Sequence, residues 1–215
     1  MKVDIRYWLK RLNDLPFISA IFVILNVIVF LICTFTGNLL YNMGSVGVLD
    51  LARGEYYRLF TSMFLHADAQ HLVNNMLLLF GIGYMIEKEI GHFRFGIYYL
   101  AAGLGGDLLS AWMEVVTGDY VSSIGASGAV FGLDGVLLAL VLFSGKKIAS
   151  VTLPRLLFMI GYSLYSGFTA ENINNAAHIG GLITGFVMAS IFSVICKIRG
   201  TRWSADGRTE ERDEY

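Results

Sequence analysis

Charge is scarce in this sequence, and proline and cysteine are scarcer. Only 15% of its residues are Asp, Glu, Lys or Arg, against about a quarter in ordinary soluble domains, which excludes the charged surface of a solvated globule. Hydrophobic residues make up 55% and mean hydropathy is +0.61, so the chain reads as an integral membrane protein. Proline occurs only as Pro16 and Pro154, each near the start of an apolar segment, where a missing N–H costs little. The cysteines, Cys33 and Cys196, fall near opposite membrane faces in the topology below, which excludes a disulfide between them. They read as small apolar residues. No internal repeat is found, so one compact domain is the simplest organisation. With a net charge of −1, nothing points to nucleic acid as a partner.

What the chain has in abundance is long apolar runs. Segments sufficient to cross roughly 30 Å of hydrocarbon are read at about 17–36, 70–86, 95–116, 124–143, 152–169 and 177–196. The expected fold is therefore an all-α polytopic bundle of six transmembrane helices with both termini on one side. A cleaved signal peptide is the alternative for the first run, but Phe17 to Phe35 is long and no A-x-A-like site follows, so an uncleaved span is expected. Basic residues orient the bundle. Lys2, Arg6, Lys10 and Arg11 precede the first span, Lys88 and Arg94 follow the second, Lys146, Lys147 and Arg155 follow the fourth, and Lys197, Arg199, Arg202, Arg208 and Arg212 follow the sixth. The opposite side has only Arg53 and Arg58, so both termini are expected in the cytoplasm. The domains read as a basic N-terminus over 1–16, a six-helix domain over 17–199, and a disordered cytoplasmic tail over 200–215. Between spans one and two, residues 37–69 carry Leu39, Leu40, Tyr41, Tyr56, Tyr57, Phe60 and Phe64, too apolar for a solvated loop and suited to an element lying in the interface.

This topology assembles a set of polar residues. Spans two, four and six run from outside to inside, and their first turns contain His71 and Asn75, Ser127, and His178. All four side chains are expected at one depth near the outer face, with His71 and Asn75 on one helical face. Gly125, Gly128, Gly132 and Gly135 on span four, and Ala177, Gly181 and Gly185 on span six, form small-residue stripes that let helix backbones approach. Alone such a stripe signals only packing. Here it brings together the starts of the serine and histidine helices.

A serine hydroxyl needs a base to take its proton, and His178 is the available one. The oxyanion of an acyl-transfer intermediate needs donors, which His71, the Asn75 amide and the Ser127 backbone N–H supply. Gly125 and Gly128 leave room for close substrate approach. No acid is positioned to orient His178, which predicts a dyad, with Phe131, one turn after Ser127, packing on the imidazole. The bland readings are a packing serine and a structural histidine; their common depth argues for chemistry.

Gly125-Ala126-Ser127-Gly128, Ala177-His178-x-Gly180-Gly181-x-x-x-Gly185, and His71-x-x-x-Asn75 preceded by Phe64-Leu65-His66 together resemble the rhomboid intramembrane serine proteases, in particular the bacterial six-span form. The resemblance covers roughly residues 17–196. It implies Ser127 as nucleophile, His178 as general base, His71 and Asn75 in the oxyanion hole, and Glu87 and Gly91 as structural residues near the end of span two. It also implies single-span or polytopic membrane proteins as substrates, cut near the outer end of a transmembrane helix, with no metal and no cofactor, and a bacterial inner membrane as location. Tyr57-Arg58 stands where the family usually has Trp-Arg, and Phe131 where it often has Tyr. Oligomeric state stays open.

Three acids stand apart from this scheme. Asp107 and Glu114 lie in span three, and Asp134 lies in span four, on the Ser127 face but ~10 Å deeper by helical rise. Intramembrane acids are functional candidates by default; protonated or hydrogen-bonded packing is expected for Asp107 and Asp134, with water retention as a hypothesis. Two rival functions remain, a catalytically silent client-binding scaffold and a small transporter. The sequence has neither the broken helices nor the repeated halves expected of the latter.

Overall fold

Apolar runs without interior proline satisfy their own backbone groups as helices, the form that a lipid-facing segment requires. The computed structural model describes residues 15–37, 39–143, 148, 151–169 and 173–198, and the backbone alone of 201–203 and 209–211. Helix α1 spans Phe17–Thr36; α2 (Leu39–Gly44), α3 (Val48–Ala52) and α4 (Arg58–Thr61) are short, the last leading into a 3-10 turn at Ser62–Phe64. Long helices resume with α5 (Ala69–Ile90), α6 (His92–Thr117), α7 (Ser127–Phe143), α8 (Leu153–Thr169) and α9 (Asn175–Ile198). The six predicted segments thus correspond to six long helices. By length and composition α1 and α9 suffice to cross a membrane, and α7 is a shorter apolar helix.

Helix α7 is apolar on every face, which marks a helix buried all round. Its residues from Gly128 to Leu137 are buried without exception, and α9 and α6 pack most extensively against it and each other. Glycine explains the closeness: a Cβ at Gly181 would fall 1.9 Å from the Gly128 carbonyl oxygen, and one at Gly185 would fall 2.0 Å from that of Gly132. Because the paired positions advance together, α7 and α9 run parallel. At the periphery, α8 buries only Leu156, Ile160 and Gly167 and exposes Phe158, Tyr162, Tyr165 and Phe168.

A single carboxylate joins α1 to this core. Glu87, 1% exposed, accepts the N–H groups of Ile18 at 2.8 Å and Ser19 at 2.9 Å and the Ser19 hydroxyl at 2.6 Å. These are first-turn donors of α1, left unsatisfied by the helix itself. His92 is half-buried and its Nδ1 pairs with Glu87, because Gly91 at φ +82° turns the chain back toward that carboxylate. Outside the core, Arg58 organises the segment between α1 and α5. It donates to the carbonyls of Asn42 at 2.8 Å and Ser45 at 2.9 Å and pairs with Glu55.

The disorder expected for 200–215 falls mostly on residues outside the described ones. Thr201–Trp203 pairs antiparallel with Thr209–Glu211. Thr and Trp favour extended backbone. The basic N-terminus through residue 14, and Lys146, Lys147 and Arg199, lie outside the described residues.

Candidate active site

The serine stands at a point where the chain must change course. Residues 119–126 approach α7 through an extended segment paired at Val46 and Ser123, and Gly125 then adopts φ +118°. An L side chain is strained there. Space forbids it as well, since a Cβ at Gly125 would lie 2.7 Å from His71 Cε1. The Gly125 N–H donates to the Ser62 carbonyl at 2.9 Å, and Ser127 follows as the first residue of α7. The span predicted from residue 124 accordingly begins as a helix only at 127.

His178 reaches the same place from α9. Ahead of it, the Asn174 side-chain oxygen accepts the Ala177 N–H at 3.0 Å, and the Asn174 amide donates to Ser110 on α6 at 2.7 Å. The start of α9 is thereby capped and anchored. Asn174 belongs to a polar stretch of which Glu171 and Asn172 lie outside the described residues. The imidazole of His178 is 7% exposed and stacks on Phe131, with centroids 4.3 Å apart and planes at 15°. Among the described residues its Nδ1 has no hydrogen-bond partner, from an acid or any other group.

His71 lies in the first turn of α5, which Asp68 caps by accepting the His71 N–H at 2.8 Å. Asn75 is 5% exposed, and its amide donates to the His71 carbonyl at 3.0 Å, which leaves one N–H of that amide for another acceptor. His66 is fully buried, with its ring 5.0 Å from that of His71. Burial holds the His66 imidazole far below its ordinary range, at about 4, and the neighbouring His71 adds to the effect.

Ser127, His178, His71, Gly125 and Gly128 line one cavity of about 650 Å³. Asn75, Phe131 and Gly181 stand behind that lining, Phe131 against the imidazole and Gly181 against the Gly128 backbone. Asp107, Ser110 and Glu114, spaced along α6, form a polar wall of the same cavity. Asp134 is outside it, 8% exposed within α7. Sequence reading missed Ser62 and Ser123: nothing in their local pattern marks them, and their partner is distant in the chain. No group of three or more His, Cys, Asp or Glu suited to a metal occurs among the described residues.

Comparison with known proteins identifies the family. A family model described as the rhomboid domain matches residues 53–195. Rhomboid protease GluP of Bacillus subtilis (strain 168) is 35% identical over 183 residues, 83% of this chain and 35% of that protein. RHOMBOID-like protein 1 of Arabidopsis thaliana is 37% identical over 155 residues, 69% of this chain and 39% of its own length. Putative rhomboid protease YdcA of Bacillus subtilis (strain 168) is 35% identical over 149 residues, 69% of this chain and 70% of that one. The chain thus spans little more than a third of the first two relatives.

Proposed function

The chain belongs to the rhomboid family, and from that membership we propose that it is an intramembrane serine protease acting through a Ser127–His178 dyad. The observation that carries the reading is the convergence of Ser127, His178 and His71, from three separate helices, on one cavity. His178 takes the hydroxyl proton as the Ser127 oxygen attacks the scissile carbonyl carbon. His71, the free N–H of the Asn75 amide and the Ser127 backbone N–H stabilise the oxyanion. Collapse of the tetrahedral intermediate expels the amine, which takes the proton from His178. Water then attacks the acyl-enzyme with His178 again as base, and the serine is regenerated. With no acid behind the imidazole among the described residues, the Phe131 ring holds its plane.

Six helices crossing the membrane, both termini in the cytoplasm and a bacterial inner membrane complete the reading. The cavity then opens to the outer side, and the cut falls in the outer part of a substrate's transmembrane helix. The decisive experiment is cleavage of a single-span test substrate by the purified protein in lipid, comparing the native chain with Ser127→Ala and His178→Ala after all three are shown to be folded. The native chain is expected to cut and both variants to be inactive. Variants that cut equally well would overturn the dyad, and a native chain that binds several helix-destabilised substrates without cutting would make a client-binding scaffold the better account.

A further inference from the structure

The dyad and oxyanion groups leave a buried carboxylate beside them without a task. Asp107 on α6 is 7% exposed and lines the cavity that contains Ser127. One of its oxygens accepts the Ser62 hydroxyl at 2.7 Å, and the other accepts the Ser123 hydroxyl at 3.0 Å. The two serines come from different parts of the chain: Ser62 opens the 3-10 turn after α4, and Ser123 lies in the strand-like approach to α7. Both also hold that approach by the backbone. The Ser62 carbonyl accepts the Gly125 N–H at 2.9 Å, and Ser123 exchanges hydrogen bonds with Val46 at 2.7 and 3.1 Å.

The seat of Ser62 on α6 is shaped independently of the carboxylate. Met63, 1% exposed, fills a notch at Gly103, where a Cβ would come within 2.1 Å of Met63 Cε. Gly103 precedes Asp107 by one turn on the same face. A buried carboxylate is costly unless hydrogen-bonded, and removing it leaves two buried hydroxyls without their acceptor. A group kept at that cost, between the Ser62 segment that accepts the Gly125 N–H and the Ser123 strand that runs directly into Gly125, is placed to act on the turn.

We propose that Asp107 is a positioning residue for the nucleophile. It fastens Ser62 and Ser123 to α6 and thereby sets the Gly125 turn that presents the Ser127 hydroxyl and backbone N–H. The role rests on the protease reading of Ser127, and Asp107 acts through the two serines rather than on substrate.

The test uses the full chain in lipid vesicles and measures kcat, KM and thermal midpoint for the native protein, Asp107→Ala, Asp107→Asn, the Ser62→Ala/Ser123→Ala pair and the triple variant. Misplacing a reacting atom by an ångström costs about 100-fold, so Asp107→Ala is expected to lower kcat by about that factor while KM moves less than about twofold. The serine pair is expected to match it, the triple variant to add little because one unit has been removed, and Asp107→Asn to recover most of the loss, since its amide pairs one serine as donor and the other as acceptor. An unchanged kcat, a loss confined to KM, losses that multiply in the triple variant, or a kcat that merely follows the folded fraction would each overturn the proposal. Should Asp107→Ala fail to fold, the single serine variants decide: lowered kcat at constant KM supports the role, and native kcat in both overturns it. A native chain that does not cut, or one matched by Ser127→Ala, overturns the protease reading instead.

Discussion

At Gly125 one residue meets two demands that no other residue type meets together. Its φ of +118° costs an L residue on the order of 1–3 kcal/mol, and a Cβ would press on the His71 ring. Gly125→Ala is therefore expected to displace the turn and the ring together. Cleavage should fall by more than about tenfold, while the thermal midpoint drops only by the few degrees that roughly 1–3 kcal/mol represents; native kcat in this variant would contradict the assigned geometry. Ser127, His178 and the flanking glycines were legible in the sequence because each belongs to a short local pattern. Ser62 and Ser123 were not, and Asp107 was legible only as an intramembrane acid without its partners, because these contacts join residues 45 and 16 positions apart and no periodicity encodes such a distance.

The proposed Ser127–His178 dyad requires a fixed separation of α7 and α9, since each helix carries one of the two residues. Backbone sets that separation: the Gly128 and Gly132 carbonyl oxygens occupy the volume that a Cβ at Gly181 or Gly185 would need. A carbonyl in a helix cannot swing aside as a long side chain does, so Gly181→Ala is expected to push the helices apart, costing about 1–3 kcal/mol by overpacking and lowering kcat as His178 withdraws from Ser127. Gly161→Ala on α8 is the matched control. Nothing lies within 4 Å of its added Cβ, and thermal midpoints in the same lipid should place it within about 0.5 kcal/mol of the native chain. A Gly181→Ala midpoint as close to native as that of Gly161→Ala would refute the packing argument. The long helices and the glycine stripes were readable because each is a sustained pattern. The short helices α2, α3 and α4 were not: four to six residues are too few to express a period, and they are held by Arg58 rather than by an apolar stripe.

For the whole molecule, stability toward acid follows from how the segment between α1 and α5 is buried. His66 lies in that segment, fully buried, with neither ring nitrogen hydrogen-bonded among the described residues. It faces His71, with Asp68 the nearby acid, and the Tyr41 hydroxyl fixes its carbonyl at 2.6 Å. The folded chain resists protonating this ring until about pH 4, whereas the unfolded chain takes the proton near pH 6.5. Between those values the unfolded state binds more protons, so stability is complete above about pH 6.5, declines as pH falls toward 4, and changes no further below it through this group. The depressed value corresponds to roughly 3 kcal/mol. His66→Gln cannot titrate and leaves a constant offset, so the difference in thermal midpoint between it and the native chain isolates the effect. That difference is expected to be level from pH 8 to 7 and then to shift steadily against the native chain down to about pH 4. A difference that stays level throughout would mean that the His66 ring is already solvated in the folded protein. The segment that leads into the catalytic helices would then be more open than its burial indicates.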